Sequence, residues 1–325
     1  MTTPDLPPAI CLMGPTACGK TKVAVELVQE GPFEIISVDS ALVYRGLDIG
    51  AGKPNSATLA IAPHRLINLR DLKEPYSAAD FRTDAIAAIT DIQSKGKIPL
   101  LVGGTMLYFK ALRDGLAELP IASPEVRQRI ADMAAADGWL AVHKRLMEVD
   151  PVAAARIRPT DSQRLQRALE VYEVTGVPLT EHHANQSAQQ TDPLPCNLHF
   201  IGMVPEDRRR LHEVIGTRFR QMLSDGLLDE VSGLRARGDL EPNLPALRSV
   251  GYRQVWNYLD GLCSYDDMVA AGIAATRQLA KRQLTWMRTW KGLSELVCRL
   301  QAKKDDDANI VKNHLKTLGS STNYW

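Results

Sequence analysis

A glycine-rich segment near the N-terminus has the residue types and the spacing of a phosphate-binding loop. It reads Gly14-Pro15-Thr16-Ala17-Cys18-Gly19-Lys20-Thr21, and it follows an apolar run and precedes a helical pattern. The glycines let successive backbone N–H groups turn towards phosphate oxygens, and the N-terminus of the next helix adds favourable partial charge. Lys20 would neutralise terminal phosphates, and the Thr21 hydroxyl would ligate Mg²⁺. We therefore predict that all eight residues bind a diphosphate or a triphosphate, with Mg²⁺ as the cofactor.

Cys18 within this loop is interpreted as a small filler. A cysteine becomes a nucleophile when a base or a positive charge favours its thiolate, and the sequence pairs Cys18 with no base.

Two further strand ends carry polar residues that should face the same crevice. Asp39-Ser40 follows one predicted strand, and Gly103-Gly104-Thr105 follows another. Beside a diphosphate, a carboxylate is repelled unless it holds a metal or accepts a proton from an attacking group. A turn or helix-capping role for Asp39 stays open, as does a plain strand-to-helix turn for residues 103–105. The strand before Gly103 lacks the terminal Asp that organises Mg²⁺ in many NTP-hydrolysing enzymes.

Basic residues cluster in the C-terminal half of the chain. Residues 276–293 contain five Lys or Arg and no acidic residue, with Trp286 and Trp290 on a separate helical face. This pattern is typical either of a solvated basic face over a buried apolar one or of a surface that binds a phosphate backbone. Arg218 and Arg220 follow a predicted strand, and one of them could reach the phosphates.

The elements that must position these residues alternate between strand and helix. Apolar runs at 9–13, 34–38, 98–102 and 198–204 predict strands, and helices are expected at 22–29 and 78–94. Such alternation favours a parallel sheet with ligands at the carboxyl ends of its strands. After Pro205 everything is expected to be helical.

Between the third and fourth predicted strands the pattern is helical. Ser123-Pro124 is an N-cap followed by proline, Asp161 can cap another helix, and Gly176 can close it. The polar stretch 180–197 reads as a linker. We therefore predict an α/β fold, a P-loop parallel-sheet core with an inserted all-helical domain. The expected boundaries are 1–115 for the first part of the core, 116–197 for the insertion, 198–300 for the second part of the core and 301–325 for a flexible tail.

The composition fits a cytoplasmic globular protein of more than one lobe. The 325 residues are 45% hydrophobic and 24% charged, with a net charge of +1, so any nucleic-acid binding must come from local patches. Five scattered cysteines without a C-x-x-C pair favour a reducing compartment. No apolar run is long enough for a membrane helix, and no coiled-coil pattern is evident, so we expect a monomer that does not enter the membrane.

Six segments together resemble bacterial tRNA dimethylallyltransferases. They are 14–21, Ile-Ser-Val-Asp-Ser-Ala-Leu-Val-Tyr (36–44), Leu-Val-Gly-Gly-Thr-Met-Leu-Tyr (101–108), Gln-Arg-Leu-Gln-Arg-Ala-Leu-Glu-Val (163–171), Arg-Ser-Val-Gly-Tyr-Arg (248–253) and Lys-Arg-Gln-Leu-Thr-Trp-Met-Arg (281–288). The resemblance covers about residues 10–295. Cys18 departs from it, since the family more often has Ser there.

The resemblance implies transfer of a dimethylallyl group from dimethylallyl diphosphate to N6 of the adenosine 3′ of the anticodon, in tRNAs that read codons beginning with U. The implied catalytic residues are Asp39 as base or amine-orienting group, Lys20, Thr105 and Arg220, with Arg218 as the alternative clamp on the diphosphate. The implied contacts with the anticodon stem-loop of tRNA are Asp39, Ser40, Ala41, Leu42, Thr105, Arg127, Gln163, Arg164, Leu165, Gln166, Arg167, Arg248, Ser249, Val250, Gly251, Tyr252, Arg253, Lys281, Arg282, Gln283, Leu284, Thr285, Trp286, Met287 and Arg288.

Three other functions use similar parts. A nucleoside or nucleotide kinase would share the P-loop, Mg²⁺ and basic residues, and would transfer the γ-phosphate of ATP. A nucleic-acid-binding ATPase would release phosphate when tRNA is added. An enzyme that prenylates free AMP would need neither the helical insertion nor the basic helix.

Overall fold

A computed structural model describes residues 6–117, 119–188, 193–300 and 306–320. The chain divides into two compact units, Met1–Arg113 with Leu194–Trp325, and Asp114–Pro193. We call the first the sheet unit and the second the helical unit.

The first part of the sheet unit alternates strands and helices. In chain order its elements are β1 (Pro8–Met13), α1 (Lys20–Glu30), β2 (Phe33–Val38), α2 (Ser56–Ile61), β3 (His64–Arg65), α3 (Ala78–Ser94), β4 (Ile98–Gly103) and α4 (Met106–Asp114). Ser77 and Asp80 form a capping box that begins α3 at the predicted residue.

The helical unit contains four described helices, and the two whose caps the sequence predicted begin at the expected residues. The four are α5 (Pro124–Val149), α6 (Pro151–Arg156), α7 (Ser162–Thr175) and α8 (Leu179–Ala188). Ser123 and Asp161 accept hydrogen bonds from backbone N–H groups at the starts of α5 and α7, and Gly176 ends α7 in the left-handed conformation (φ +72°). Gly138 breaks the regular backbone inside α5 (φ +79°). α8 occupies residues 180–188, half of the stretch 180–197, so the interpretation of that half as a linker was wrong; residues 189–192 lie outside the described residues.

The chain then returns to the sheet unit. The remaining elements are β5 (Asn197–Pro205), α9 (Arg208–Ser224), α10 (Leu227–Ala236), α11 (Tyr252–Leu259), α12 (Tyr265–Arg288), β6 (Leu293–Cys298) and α13 (Asp306–Ser320).

The described strands form one six-stranded, all-parallel sheet in the order β3-β2-β4-β1-β5-β6. Side chains of β1 alternate between its two faces: Ile10 and Leu12 pack with α1, whereas Cys11 and Met13 pack with α3 and α4. Helices therefore cover both faces, as expected of a parallel sheet. A third apolar cluster unites α9, α10, α11 and α12.

Two expectations for the C-terminal region were wrong. Residues 293–298 are not helical but form the edge strand β6, which pairs with β5 from Phe200↔Leu293 to Pro205↔Cys298. Part of the segment expected to be a flexible tail is helix α13, and its Ala308, Val311 and Leu315 are buried in the apolar cluster that contains α1. Residues 301–305 and 321–325 of that segment lie outside the described residues.

Candidate active site

The P-loop connects the buried strand β1 to the first turn of α1. Ala17 and Gly19 have left-handed backbones (φ +66° and +87°), which turn the loop back on itself before the helix begins. Because the first N–H groups of a helix lack carbonyl partners, the start of α1 offers donors and positive partial charge to an anion.

Gly14 and Cys18 fit together beneath this loop. A Cβ on Gly14 would lie 2.7 Å from Cys18 Sγ and 3.1 Å from the carbonyl oxygen of Met203. Cys18 is fully buried. The side chain therefore fills space under the loop, in agreement with the prediction for it.

Lys20 holds the shape of the loop from within. Its Nζ donates hydrogen bonds to the carbonyl oxygens of Gly14 (2.8 Å) and Pro15 (2.6 Å). Six residues of the motif, Thr16 to Thr21, line a cavity of about 690 Å³. Nζ also lies 3.7 Å from Cys18 Sγ, so all three of its N–H donors have partners in the loop, and a bound anion would take the place of one of them.

Asp39 lies at the carboxyl end of β2 and also lines the cavity. Its Oδ1 accepts hydrogen bonds from the backbone N–H groups of Ala41 (2.8 Å) and Leu42 (3.3 Å), so the carboxylate shapes the turn that follows. Among the described residues both hydrogen bonds reach Oδ1, which leaves Oδ2 for a substrate. The turn role and a chemical role are thus compatible.

Residues 103–105 hold the ends of β4 and β2 together. A Cβ on Gly103 would lie 2.0 Å from the carbonyl oxygen of Val38, so only glycine fits there. Thr105 Oγ1 accepts a hydrogen bond from the N–H of Ser40 (3.1 Å). The predicted crevice at the strand ends is therefore formed by residues that contact one another.

The cavity also takes residues from α9, the 248–251 turn and α12. The predicted site residues that line it there are Arg248, Ser249, Val250, Gly251, Arg282, Gln283 and Trp286. Its apolar lining includes Ile215, Phe219, Met222 and Leu279. An anion-binding end and an apolar wall therefore lie in one cavity, which suits an amphiphilic diphosphate.

Of the two candidate arginines on α9, Arg218 lines the cavity and Arg220 is absent from the described residues that do. Partial removal from water lowers the pKa of Arg218, and the charge of Asp39 acts against that shift. We therefore replace Arg220 by Arg218 as the candidate clamp. Arg218 lies three residues after Ile215 and four before Met222, so it shares their helical face, a signal that the sequence contained.

Besides Gln283, four positions predicted to contact tRNA have buried side chains. They are Leu165, Tyr252, Leu284 and Met287. The apolar and aromatic side chains at these four positions pack in the cores of their units. They therefore support exposed neighbouring residues instead of contacting tRNA themselves. Lys281, Thr285, Arg288 and Arg253 are exposed.

Tyr252 anchors a loop that the sequence analysis did not assign to the site. Its hydroxyl donates to Glu230 and accepts from the N–H of Ala51 (3.0 Å), while Glu230 also accepts from the N–H groups of residues 48–50. Burial and the bond to Glu230 raise the pKa of Tyr252. Residues 50–52 of this loop line the cavity, and a Cβ on Gly52 would lie 2.0 Å from Arg218 Nη2. No local motif marks Glu230 for this role.

His64 is a second cavity residue that was missed. Its Nδ1 lies 2.8 Å from the carbonyl oxygen of Ala62, and burial lowers its pKa. Burial therefore favours the neutral form of the imidazole, and the hydrogen bond to Ala62 opposes this shift.

In the helical unit, Arg127 and Arg167 are joined by a fully buried carboxylate. Glu170 accepts hydrogen bonds from Arg127 Nε (2.8 Å), Arg167 Nη1 (2.8 Å) and the N–H of Ser123 (2.9 Å). Burial raises the pKa of Glu170, but the hydrogen bonds from the two arginines outweigh it and hold the pKa below its ordinary value. Gln166 donates to the carbonyl oxygen of Arg127 (3.2 Å), and Gln163 and Arg164 are exposed.

The residues around the P-loop suit a metal ion that is held mainly by the phosphate groups of a bound substrate. Within the described residues no group of three or more His, Cys, Asp or Glu is arranged to hold a metal ion. Thr21 and Asp39 both line the cavity, and Mg²⁺ commonly binds through one or two protein oxygens, phosphate oxygens and water.

A P-loop at the centre of an all-parallel sheet, with a carboxylate at the next strand end, defines a phosphate-binding enzyme of the α/β class. Residues 42–290 match the IPP transferase family. The chain belongs to this family.

Solved structures of similar proteins agree with this family assignment. A tRNA isopentenylpyrophosphate transferase from Bacillus halodurans is 33% identical, with a TM-score of 0.69 and 98% of each chain covered. A tRNA delta(2)-isopentenylpyrophosphate transferase from Staphylococcus epidermidis is 28% identical, with a TM-score of 0.66, 97% of this chain and 99% of that chain covered. A eukaryotic dimethylallyltransferase acting on tRNA is 25% identical, with a TM-score of 0.76, 98% of this chain and 80% of that chain covered.

Across the described residues, no helix combines the length and the apolar character needed to cross a membrane.

Proposed function

We propose that the protein transfers a dimethylallyl group from dimethylallyl diphosphate to N6 of the adenosine 3′-adjacent to the anticodon, in tRNAs that read codons beginning with U. The family and the tRNA-modifying enzymes of the same fold support prenyl transfer to tRNA and do not favour a kinase. The cavity that joins the P-loop, Asp39 and an apolar wall supports a prenyl diphosphate as the donor.

The reaction breaks a carbon–oxygen bond and forms a carbon–nitrogen bond. The N6 amine attacks C1 of the dimethylallyl group, the diphosphate leaves with the electron pair of the C–O bond, and one N6 proton passes to the Asp39 carboxylate. An adenine amine is a poor nucleophile, so a base placed against it accelerates the step.

The leaving diphosphate gains negative charge as the C–O bond breaks. Lys20, Arg218 and the N–H groups at the start of α1 would stabilise that charge, because all three line the same cavity. Thr21 would hold Mg²⁺, which would supply further positive charge to the leaving group. The P-loop thus holds a leaving group instead of a transferred phosphate.

The adenosine must leave its stack to reach this cavity, since a base within an anticodon loop is otherwise inaccessible. Exposed Trp286 lines the cavity and can stack on a base, and exposed Lys281, Arg282 and Arg288 can contact phosphates along α12. In the helical unit, Arg127, Gln163, Arg164, Gln166 and Arg167 are the proposed contacts with the anticodon stem-loop. We also propose that the enzyme acts as a monomer in the cytoplasm.

The direct test is mass analysis of tRNA nucleosides after incubation with dimethylallyl diphosphate and Mg²⁺. We expect the adenosine next to the anticodon to gain one dimethylallyl group, with diphosphate released only when tRNA is present. Lys20→Ala is the matched inactive control. Consumption of ATP with unmodified tRNA would support a kinase or an ATPase, and prenylation of free AMP at a similar rate would remove tRNA from the proposal.

A further inference from the structure

Gln283 lies in the middle of the basic segment of α12, yet its side chain faces inwards. Only 8% of the residue is exposed, whereas Lys281, Arg282 and Trp286 around it are exposed. A buried polar side chain requires hydrogen-bond partners, and those partners identify what it does.

The two polar atoms of the Gln283 amide bind two different loops. Oε1 accepts a hydrogen bond from the N–H of Thr16 in the P-loop (2.8 Å), and Nε2 donates one to the carbonyl oxygen of Gly104 (2.9 Å). A primary amide offers an acceptor and a donor side by side, so one side chain satisfies an N–H and a C=O together.

Gly104 is shaped to admit this amide. A Cβ on Gly104 would lie 2.3 Å from Gln283 Nε2 and 3.3 Å from the carbonyl oxygen of Gly14. Any larger residue would push the amide away from the strand end. The glycine thus permits the close approach that the bridge needs.

The bridge continues from Gly104 towards Asp39. Thr105, the next residue, accepts a hydrogen bond from the N–H of Ser40 (3.1 Å), and Ser40 follows Asp39 in the chain. Hydrogen bonds and the peptide links between adjacent residues therefore connect the P-loop, through Gln283, to Asp39. Asp39 is the residue proposed to receive the amine proton.

We propose that Gln283 is a positioning residue that fixes the P-loop relative to the strand end carrying Thr105, instead of the tRNA contact that its sequence segment predicted. This inference rests on the proposed prenyl transfer. The leaving group is held at one end of the bridge and the attacking amine at the other. A displacement of about 1 Å between reacting groups can lower a rate about a hundredfold. Loss of the bridge should therefore slow turnover much more than it weakens tRNA binding.

The test compares Gln283→Met, which keeps the length and removes both hydrogen bonds, with Gln283→Glu, which keeps the acceptor for Thr16. We expect Gln283→Met to lower kcat about 10- to 100-fold with the Kd for tRNA within about threefold of wild type. The kcat of Gln283→Glu should lie between that of the wild type and that of Gln283→Met. Lys281→Ala, two residues away on the exposed face, should instead raise the Kd for tRNA and reduce its salt slope by about one unit.

A second measurement separates this inference from the proposed function. Affinity for inorganic diphosphate, measured by calorimetry without tRNA, should weaken about tenfold in Gln283→Met because binding must then also order the loop. The wild-type nucleoside assay decides prenyl transfer by itself, and the diphosphate measurement remains decisive about Gln283 if that assay fails.

Two results would overturn the assignment. One is tRNA affinity that drops tenfold in Gln283→Met at unchanged kcat, which would make Gln283 an RNA contact. The other is unchanged kcat and diphosphate affinity. If thermal melting shows that Gln283→Met does not fold, the same comparisons with Gln283→Glu decide.

Discussion

At the scale of single residues, the proposed chemistry depends on Asp39 and Arg218, which both line the cavity. Oδ1 of Asp39 accepts hydrogen bonds from the N–H groups of residues 41 and 42 and so shapes a turn, and the proposed chemical role falls to Oδ2. One substitution can separate these roles because an asparagine keeps an acceptor oxygen but is not a base.

Asp39→Asn is expected to lower turnover about a hundredfold or more, while tRNA affinity stays within a few-fold of wild type and the melting temperature is unchanged. Single-turnover rates and tRNA binding measure the two quantities. Asp39→Ala, which removes the turn acceptor as well, is the comparison. Near-normal turnover of Asp39→Asn would leave Asp39 as a turn residue only.

Arg218 and Arg220 form a matched pair on one helix. Arg218→Ala is expected to lower kcat/KM for dimethylallyl diphosphate by about 100- to 1,000-fold, because one charged group that stabilises the leaving group is lost. Arg220→Ala should change it less than about threefold, since this residue is absent from the described residues that line the cavity. Initial rates at varied donor concentration test both, and the reverse order of effects would restore Arg220 as the clamp.

At the scale of elements, residues close in sequence could be predicted and long-range contacts could not. The P-loop, the turn after β2 and the capped helices α3, α5 and α7 have signals within a few residues, so their positions are confirmed. β6 has only six residues, two of them polar, and becomes a strand through pairing with β5. The partners of Gln283, Glu230 and Glu170 are separated from them by loops and whole elements, and no sequence period reports such contacts.

Glu170 connects α5 and α7 through its hydrogen bonds with Arg127 and Arg167. The stability that this connection contributes depends on pH, and the lowered pKa of Glu170 determines in which direction. A carboxylate with a lowered folded-state pKa contributes stability above its unfolded pKa of about 4.3, and that stability is lost as the pH falls through the folded pKa. The α7 amides of Glu170→Gln should therefore exchange their hydrogens faster than those of the wild type near neutral pH. This difference in exchange rate should shrink below about pH 4.

Hydrogen exchange of α7 amides measures this effect. The ratio of variant to wild-type exchange rates at one pH cancels the intrinsic pH dependence, so it should be about tenfold or more at about pH 7 and approach about one under acid conditions. Glu181→Gln, on an exposed turn of α8, is the control and should keep a ratio near one at both values. A Glu170→Gln ratio that grows on acidification would contradict the assigned pKa direction.

At the scale of the whole molecule, the last described helix stabilises the layer that contains the P-loop helix. Leu315 and Val311 of α13 pack in the same apolar cluster as Val23 and Leu27 of α1, and Lys312 pairs with Glu30 (2.6 Å). Leu315→Ala removes a buried side chain and should lower the free energy of unfolding by about 2–4 kcal/mol.

Urea unfolding measures this loss, with Lys316→Ala on the exposed side of the same helix as the control. Surface substitutions of this kind change stability by only about 0.5 kcal/mol. Equal effects of the two substitutions would show that α13 is only loosely attached.

The central position of β1 has a consequence for the order in which the molecule can assemble. Its neighbours are β4 on one side and β5 on the other, and the whole helical unit lies between those two strands in sequence. A ribosome adding about 5–20 residues per second therefore exposes β1 for many seconds before β5 emerges to pair with it. The helical unit is complete in sequence at Pro193, before β5 begins at Asn197, whereas the sheet still lacks β5 and β6 at that point. Synthesis thus favours a nascent chain in which the inserted helices fold before the phosphate-binding core closes around β1.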